Sequence, residues 1–216
     1  MTKIERLLLA LFLFPIFFSL HSCSSSTTSA KNLNAPRIIP ALIPDGQYGR
    51  HRTRYLKPRY ITIHSTQSYS RGADAQAHAR MLQRGALKGS KNSLGYLTWH
   101  YTVDDHSIYQ SLPDNEQGQH ADYEGQGNRE SIGIEMCENA GNSRTATVDR
   151  TATLVAYLMK KHDIPLNHVV GHNHWRQIRY SDHRDLGYKD CPNFLLENGK
   201  YGAKWNNFQR LIKSKL

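Results

Sequence analysis

The chain has 216 residues, 38% of them hydrophobic and 21% charged, which is enough for one domain with a sizeable core and not for several. Its formal net charge is +10. A balance this basic suggests an acidic polymer or an anionic surface as partner, although a solvated basic surface meets the same count, since net charge speaks to association and not to fold.

Lys3 and Arg6 open the chain, and Leu7 to Leu20 is almost purely apolar but too short for a comfortable membrane span. Residues 1–22 are therefore expected to be a signal peptide. Leu20-His-Ser-Cys23 resembles the lipobox of bacterial lipoproteins, with His21 unusual inside it. That resemblance implies lipidation of Cys23 and a membrane anchor. The competing reading is an ordinary cleaved signal peptide with an incidental Cys23. Residues 23–45 read as the lipidated cysteine and a flexible tether: Ser24 to Ser29 is low-complexity, and Pro36, Pro40 and Pro44 follow. A serine directly after Cys23 suits sorting to an outer membrane, facing the periplasm. Loss of residues 1–22 removes Lys3 and Arg6 against Glu5 and leaves about +9. Export argues against nucleic acid as the partner and favours anionic cell wall or a membrane surface.

Residues 46–216 form the expected domain. Tyr60-Ile-Thr-Ile-His64 alternates and is β-branched, so it reads as a strand ending on His64. Gly72 to Ala86 reads as a helix. Leu97 to Val103 reads as a strand, Asp104-Asp105 as a turn, and Ser107 to Leu112 as the returning arm of a hairpin. Ser131 to Cys137 is a further strand. Thr147 to Lys161 carries Val148, Ala152, Val155 and Met159 at helical spacing, ended by Pro165. His168-Val-Val170 is a short strand that delivers His172, and Lys200 to Lys213 closes the domain as a helix. The sequence has no internal repeat. The fold class is α/β: a central mixed β-sheet flanked by helices, with a metal site in a surface cleft.

His64, Glu135, His172 and Lys189-Asp-Cys191-Pro carry the chemistry. Two histidines and a cysteine can close three corners of a zinc tetrahedron, leaving an open fourth position, a carboxylate and a lysine. Each histidine alone is more often structural. For Glu135 the bland reading is a buried acid paired with a cation, disfavoured by its apolar neighbours.

Taken together the motifs resemble the zinc-dependent N-acetylmuramoyl-L-alanine amidases of the type-2 amidase and peptidoglycan-recognition superfamily. The resemblance rests on Trp99-His-Tyr-Thr-Val-Asp-Asp105, Ile108-Tyr-Gln110, Gln119-His-Ala-Asp122, Asn128, Ser131-Ile-Gly-Ile-Glu135, Val169-Val-Gly-His172 and Lys189-Asp-Cys-Pro-Asn-Phe194, in family order over residues 58–212. It implies Zn2+ on His64, His172 and Cys191. It also implies Glu135 as the catalytic acid and base, Lys189 as stabiliser of the transition state, and His120 as a cleft residue. The reaction implied is hydrolysis of the amide between N-acetylmuramic acid and the L-alanine of peptidoglycan stem peptides, by a monomer.

Several alternatives stay open at this level. His172 and Cys191 lie 19 residues apart, farther than in phage-type relatives, so 176–188 reads as an inserted loop. That loop holds His183, eight before Cys191, a rival to His172, and His174 is a weaker one; the loop also reads as a cleft wall that shapes substrate choice. Cys137 reads as a buried free thiol or as the disulfide partner of Cys191. Trp99, His100, Tyr101 and Trp175 are candidates for a sugar-binding surface, against the plainer reading that strand aromatics are core. A non-catalytic peptidoglycan-binding module is the alternative function, and a peptidase cutting another stem-peptide bond is a third. Non-catalytic relatives typically lose the cysteine that is present here as Cys191.

Overall fold

The computed structural model describes residues 35–89 and 92–216. The expected signal peptide, Cys23 and the serine-rich start of the tether lie outside the described residues. In chain order the elements are β1 (Ile39–Pro40), β2 (Tyr60–Ser65), α1 (Ala75–Gln83), β3 (Lys88–Gly89), β4 (Gly95–Tyr96), β5 (Tyr101–Val103), β6 (Ile108–Gln110), α2 (Gln126–Glu130), β7 (Ser131–Met136), α3 (Arg144–His162), β8 (Val169–Gly171), β9 (Arg176–Ile178), β10 (Asp185–Tyr188) and α4 (Ala203–Lys215). Six strands form one mixed sheet in the order β1-β6-β5-β7-β2-β8, in which only β5 and β6 pair antiparallel. β3 with β4 and β9 with β10 make separate two-stranded ladders.

The period of two along the strands divides the sheet's chemistry. Ile61 and Ile63 of β2, with Ile132, Ile134 and Met136 of β7, join one core with Leu154, Val155 and Leu158 of α3 and Trp205, Phe208 and Ile212 of α4. The alternate positions, Thr62 and His64 on β2 and Ser131, Gly133 and Glu135 on β7, face the other way. There Thr62 Oγ1 bonds Ser131 Oγ at 2.7 Å, and Trp175 Nε1 donates to Thr62 Oγ1 at 2.9 Å. Helices start where side chains can satisfy their free N–H groups: Asp74 accepts from Ala77 N at 2.7 Å ahead of α1, and Ser143 accepts from Ala146 N ahead of α3. Asp163, in the left-handed region at φ 55°, stops α3 before Pro165 is reached.

Three expectations need correcting. The strand over Leu97 to Val103 shortens to β5, because Thr98 makes only an isolated bridge to Gln119 and the Trp99 indole turns in to bond Thr102 Oγ1. The loop over 176–188 is a hairpin, β9–β10, with an irregular register between Asp185 and Tyr188. The tether boundary at residue 45 falls too late. Ile39–Pro40 pairs with β6, Ile38 packs on the core, and Ile43 is fully buried beside Leu82, Trp99 and Leu112.

Candidate metal centre and active cleft

β2, β7 and β8 run parallel, and their carboxyl ends deliver the site. His64 and Glu135 are register partners on adjacent strands, and Ile63 is paired with Gly171, one residue before His172. Cys191 arrives from the loop after β10.

The donor atoms of His64, His172 and Cys191 lie within 4.8 Å of one another, and all three residues are buried. His64 Nδ1 stands 2.9 Å from His172 Nδ1 and 4.0 Å from Cys191 Sγ. Zinc bond lengths in a tetrahedron put nitrogens about 3.3 Å apart and nitrogen to sulfur about 3.6 Å. Shifts of a few tenths of an ångström bring the two sides at His64 to those lengths, and the third side lies within 4.8 Å, so the donor set fits such an ion. The surroundings also suit it. His172 Nε2 lies 2.7 Å from the Ala121 carbonyl, which selects the tautomer with Nδ1 free. His64 Nε2 lies 3.0 Å from His120 Nδ1, and Ser65 N–H donates to Cys191 Sγ at 3.3 Å.

The electrostatics keep the imidazoles neutral. Burial, reinforced by His172, His120 and Lys189, holds His64 well below the usual histidine range. Burial and Lys189 bring His172 down to about 3, against a weaker pull from the Ala121 carbonyl. Burial and Glu135 push the Cys191 thiol up to about 12, so ionising it calls for a bound cation.

Glu135 lies beside this triangle with Oε2 shielded from solvent and without a hydrogen-bond partner. Burial raises its carboxyl to about 7, with Lys189 opposing and Glu138 assisting. Lys189 is exposed at the rim. A cavity of about 110 Å³ opens onto His64, Glu135, His172, Lys189, His120 and Trp99, and also onto Tyr123 and Gln177. Three donors able to hold a cation, a carboxyl raised toward neutrality and a lysine on one cavity make an arrangement suited to hydrolysis.

The family model described as N-acetylmuramoyl-L-alanine amidase matches residues 54–194. The chain belongs to this amidase family. Two relatives of Bacillus subtilis (strain 168), the N-acetylmuramoyl-L-alanine amidases CwlH and XlyA, are 40% identical over 161 residues and 41% identical over 174 residues. The matches cover 74% and 80% of this chain but 54% and 50% of the relatives, so the chain spans about half the length of the curated relatives it matches. Among solved structures, a mutant endolysin from Bacillus subtilis aligns with a TM-score of 0.67 at 40% identity. The catalytic domain of XlyA aligns with a TM-score of 0.66 at 38% identity; each alignment covers 82% of this chain and 99% of the other.

Within this amidase-family chain, His172 and not His183 stands in the donor triangle. His183 is exposed at the turn of the β9–β10 hairpin with φ 54°, and His174 is exposed and meets the Trp175 ring edge to face. Cys137 and Cys191 are both free, and Cys137 lies outside the triangle, its thiol raised by burial and then by Asp104 and Glu135. His100 does not reach the cavity. It is fully buried, with Nδ1 accepting from Gly133 N at 2.9 Å and Nε2 facing the Glu116 carbonyl at 2.8 Å, so both ring nitrogens hold backbone instead. Tyr101 and Trp175 are core, whereas Trp99 forms cavity wall. The sequence reading missed Gln177 and Tyr123. The reading of 176–188 as a cleft wall points to this segment, but an alternation of three residues does not single out Gln177 as the one facing inward.

Proposed function

We propose that this chain is a zinc-dependent N-acetylmuramoyl-L-alanine amidase. It hydrolyses the amide joining N-acetylmuramic acid to L-alanine in peptidoglycan, during wall turnover or remodelling. The observation that carries the reading is the triangle of His64, His172 and Cys191 beside the unpartnered Glu135 carboxyl. Family membership and the names of the relatives support it.

Bound zinc supplies Lewis acidity, polarising the scissile carbonyl and making a nearby water more acidic. Glu135 takes a proton from the attacking water and hands it to the amine nitrogen as the carbon–nitrogen bond breaks. Lys189 offsets the negative charge that grows on the carbonyl oxygen. Trp99 and His120 bound the space the sugar and peptide enter. The basic charge draws the domain toward anionic wall polymer, and lipid on Cys23 holds it, as a monomer, at the periplasmic face of an outer membrane.

Mass spectrometry of purified muropeptides after incubation with the chain tests this. Free stem peptide and free amino sugar, lost with a chelator and restored by zinc, are the expected products. Intact muropeptides with retained binding would instead establish a recognition module.

A further inference from the structure

Gln177 comes from β9, in the hairpin between His172 and Cys191, and its side-chain amide lines the cavity. The amide nitrogen stands 2.8 Å from His172 Nε2 and donates to the Ala121 carbonyl at 3.4 Å, a long bond that weighs little against a half-turn of the amide. No other side chain of the hairpin reaches a member of the donor triangle among the hydrogen bonds of the described residues; Arg176 pairs with Asp185 and Arg179 with Asp182. The contact has a chemical consequence. If Nδ1 of His172 is to hold a metal, its ring proton sits on Nε2, and an amide N–H pointed at that proton would set two donors face to face. A half-turn about the last side-chain bond exchanges the amide's nitrogen and oxygen within the same volume.

We propose that Gln177 is a positioning residue for His172: its side-chain oxygen accepts the Nε2 proton together with the Ala121 carbonyl. The hairpin thereby becomes part of the second layer around the metal, and how it docks on the cleft governs how tightly the ion is held. This rests on the zinc reading above. It assigns to a hairpin that otherwise lies on the surface a role in ligand orientation. Partners of this kind typically contribute 10–100-fold to metal affinity.

The test is zinc affinity of the full chain purified in detergent, by competition with a chromophoric chelator. Gln177→Leu keeps the volume and removes the acceptor, Gln177→Ala removes both, and Gln177→Glu keeps an acceptor. His64→Ala serves as the reference for loss of a ligand. We expect Leu and Ala to weaken zinc binding about 10-fold and Glu to stay within a few-fold of the parent or tighten it. Parent-like affinity in both Leu and Ala overturns the proposal. Equal weakening in Leu, Ala and Glu overturns the acceptor role, because a merely structural side chain would not be rescued by a carboxylate. A parent chain that binds zinc no better than His64→Ala overturns the metal reading itself, and is distinguishable from failure of Gln177 alone.

Discussion

His64 and Glu135 stand side by side at equivalent positions of two parallel strands, so a proposed metal ligand and the proposed acid and base share one rigid ladder. Glu135→Gln is therefore expected to retain zinc and lose about 10²–10⁴-fold in turnover of muropeptides. The same change separates stability from activity. Burial raises the Glu135 carboxyl from its usual range to about 7, so the folded state holds a proton that the unfolded chain releases between about pH 4.5 and 7. Across that window the wild-type chain loses stability as pH rises. The neutral amide escapes this, and the metal-free variant is expected to gain on the order of 1–3 kcal/mol at pH 7.5, read as a higher Tm.

Gly133 is small because His120 lies against it. A Cβ at that position would come within 2.7 Å of Cγ in the His120 ring, which is held in place by its contact with His64 Nε2. Gly133→Ala is expected to cost about 1–3 kcal/mol through overpacking and to weaken zinc binding by displacing His120. An unchanged Tm together with unchanged zinc affinity would contradict this account of the glycine.

The two buried cysteines should separate cleanly. Cys191→Ser is expected to abolish stoichiometric zinc binding, whereas Cys137→Ser leaves it intact, since only Cys191 belongs to the donor triangle. Metal analysis after gel filtration reads the difference. Thiol counting of the denatured chain without reductant should find Cys137 and Cys191 both free.

Asp114 ties the far end of α3 to the sheet. It accepts from Tyr101 Oη at 2.5 Å, His162 Nε2 at 2.7 Å and Lys161 Nζ at 2.8 Å. Burial alone would raise its carboxyl, but the bonds from His162, Lys161 and Tyr101 outweigh it and hold the group below the usual carboxylate range. The unfolded chain therefore takes up the proton first. The stabilisation is complete above about pH 4 and is lost as pH falls toward the folded value. Asp114→Ala is expected to cost about 2–3 kcal/mol at pH 7, discounted for the partly exposed Lys161, and the Tm curves of parent and variant should converge in acid.

The N-terminal edge gives a truncation test. Ala41 N and Ile43 N donate to Gln110 O and Ser111 O, and Arg50, paired bidentately with buried Glu116, also donates to the Ile43 carbonyl at 2.6 Å. A chain starting at residue 46 should melt well below one starting at residue 35, with burial of Ile43 alone worth about 2 kcal/mol.

Much of this site was readable in the sequence. β2 and β7 announce themselves by β-branched alternation, and period two puts His64 and Glu135 on the face opposite Ile63 and Ile134. The apolar Val169-Val170 ahead of His172 suits a buried strand, and it is His172, not His183, that lies with His64 and Cys191. What stayed hidden depends on tertiary partners. Nothing in the local pattern tells His100, which clamps backbone, from His120, which faces the cavity. The proline-rich segment looked like a linker because two residues of strand and one buried isoleucine make no periodic signal; their partners lie some 70 residues away on β6. Gln177 was invisible for the same reason.

The three donors fall in the order His64, His172, Cys191, the last 127 positions after the first. During synthesis the pair can form before the third arm exists, but the triangle cannot close until the loop beyond β10 has emerged. An ion held there acts as a clasp on a very long loop, joining the second strand of the chain to a late turn, and it favours the folded state in proportion to its occupancy. If zinc binds as proposed, its capture is a late event of maturation, and a chain deprived of it is the more exposed to proteolysis.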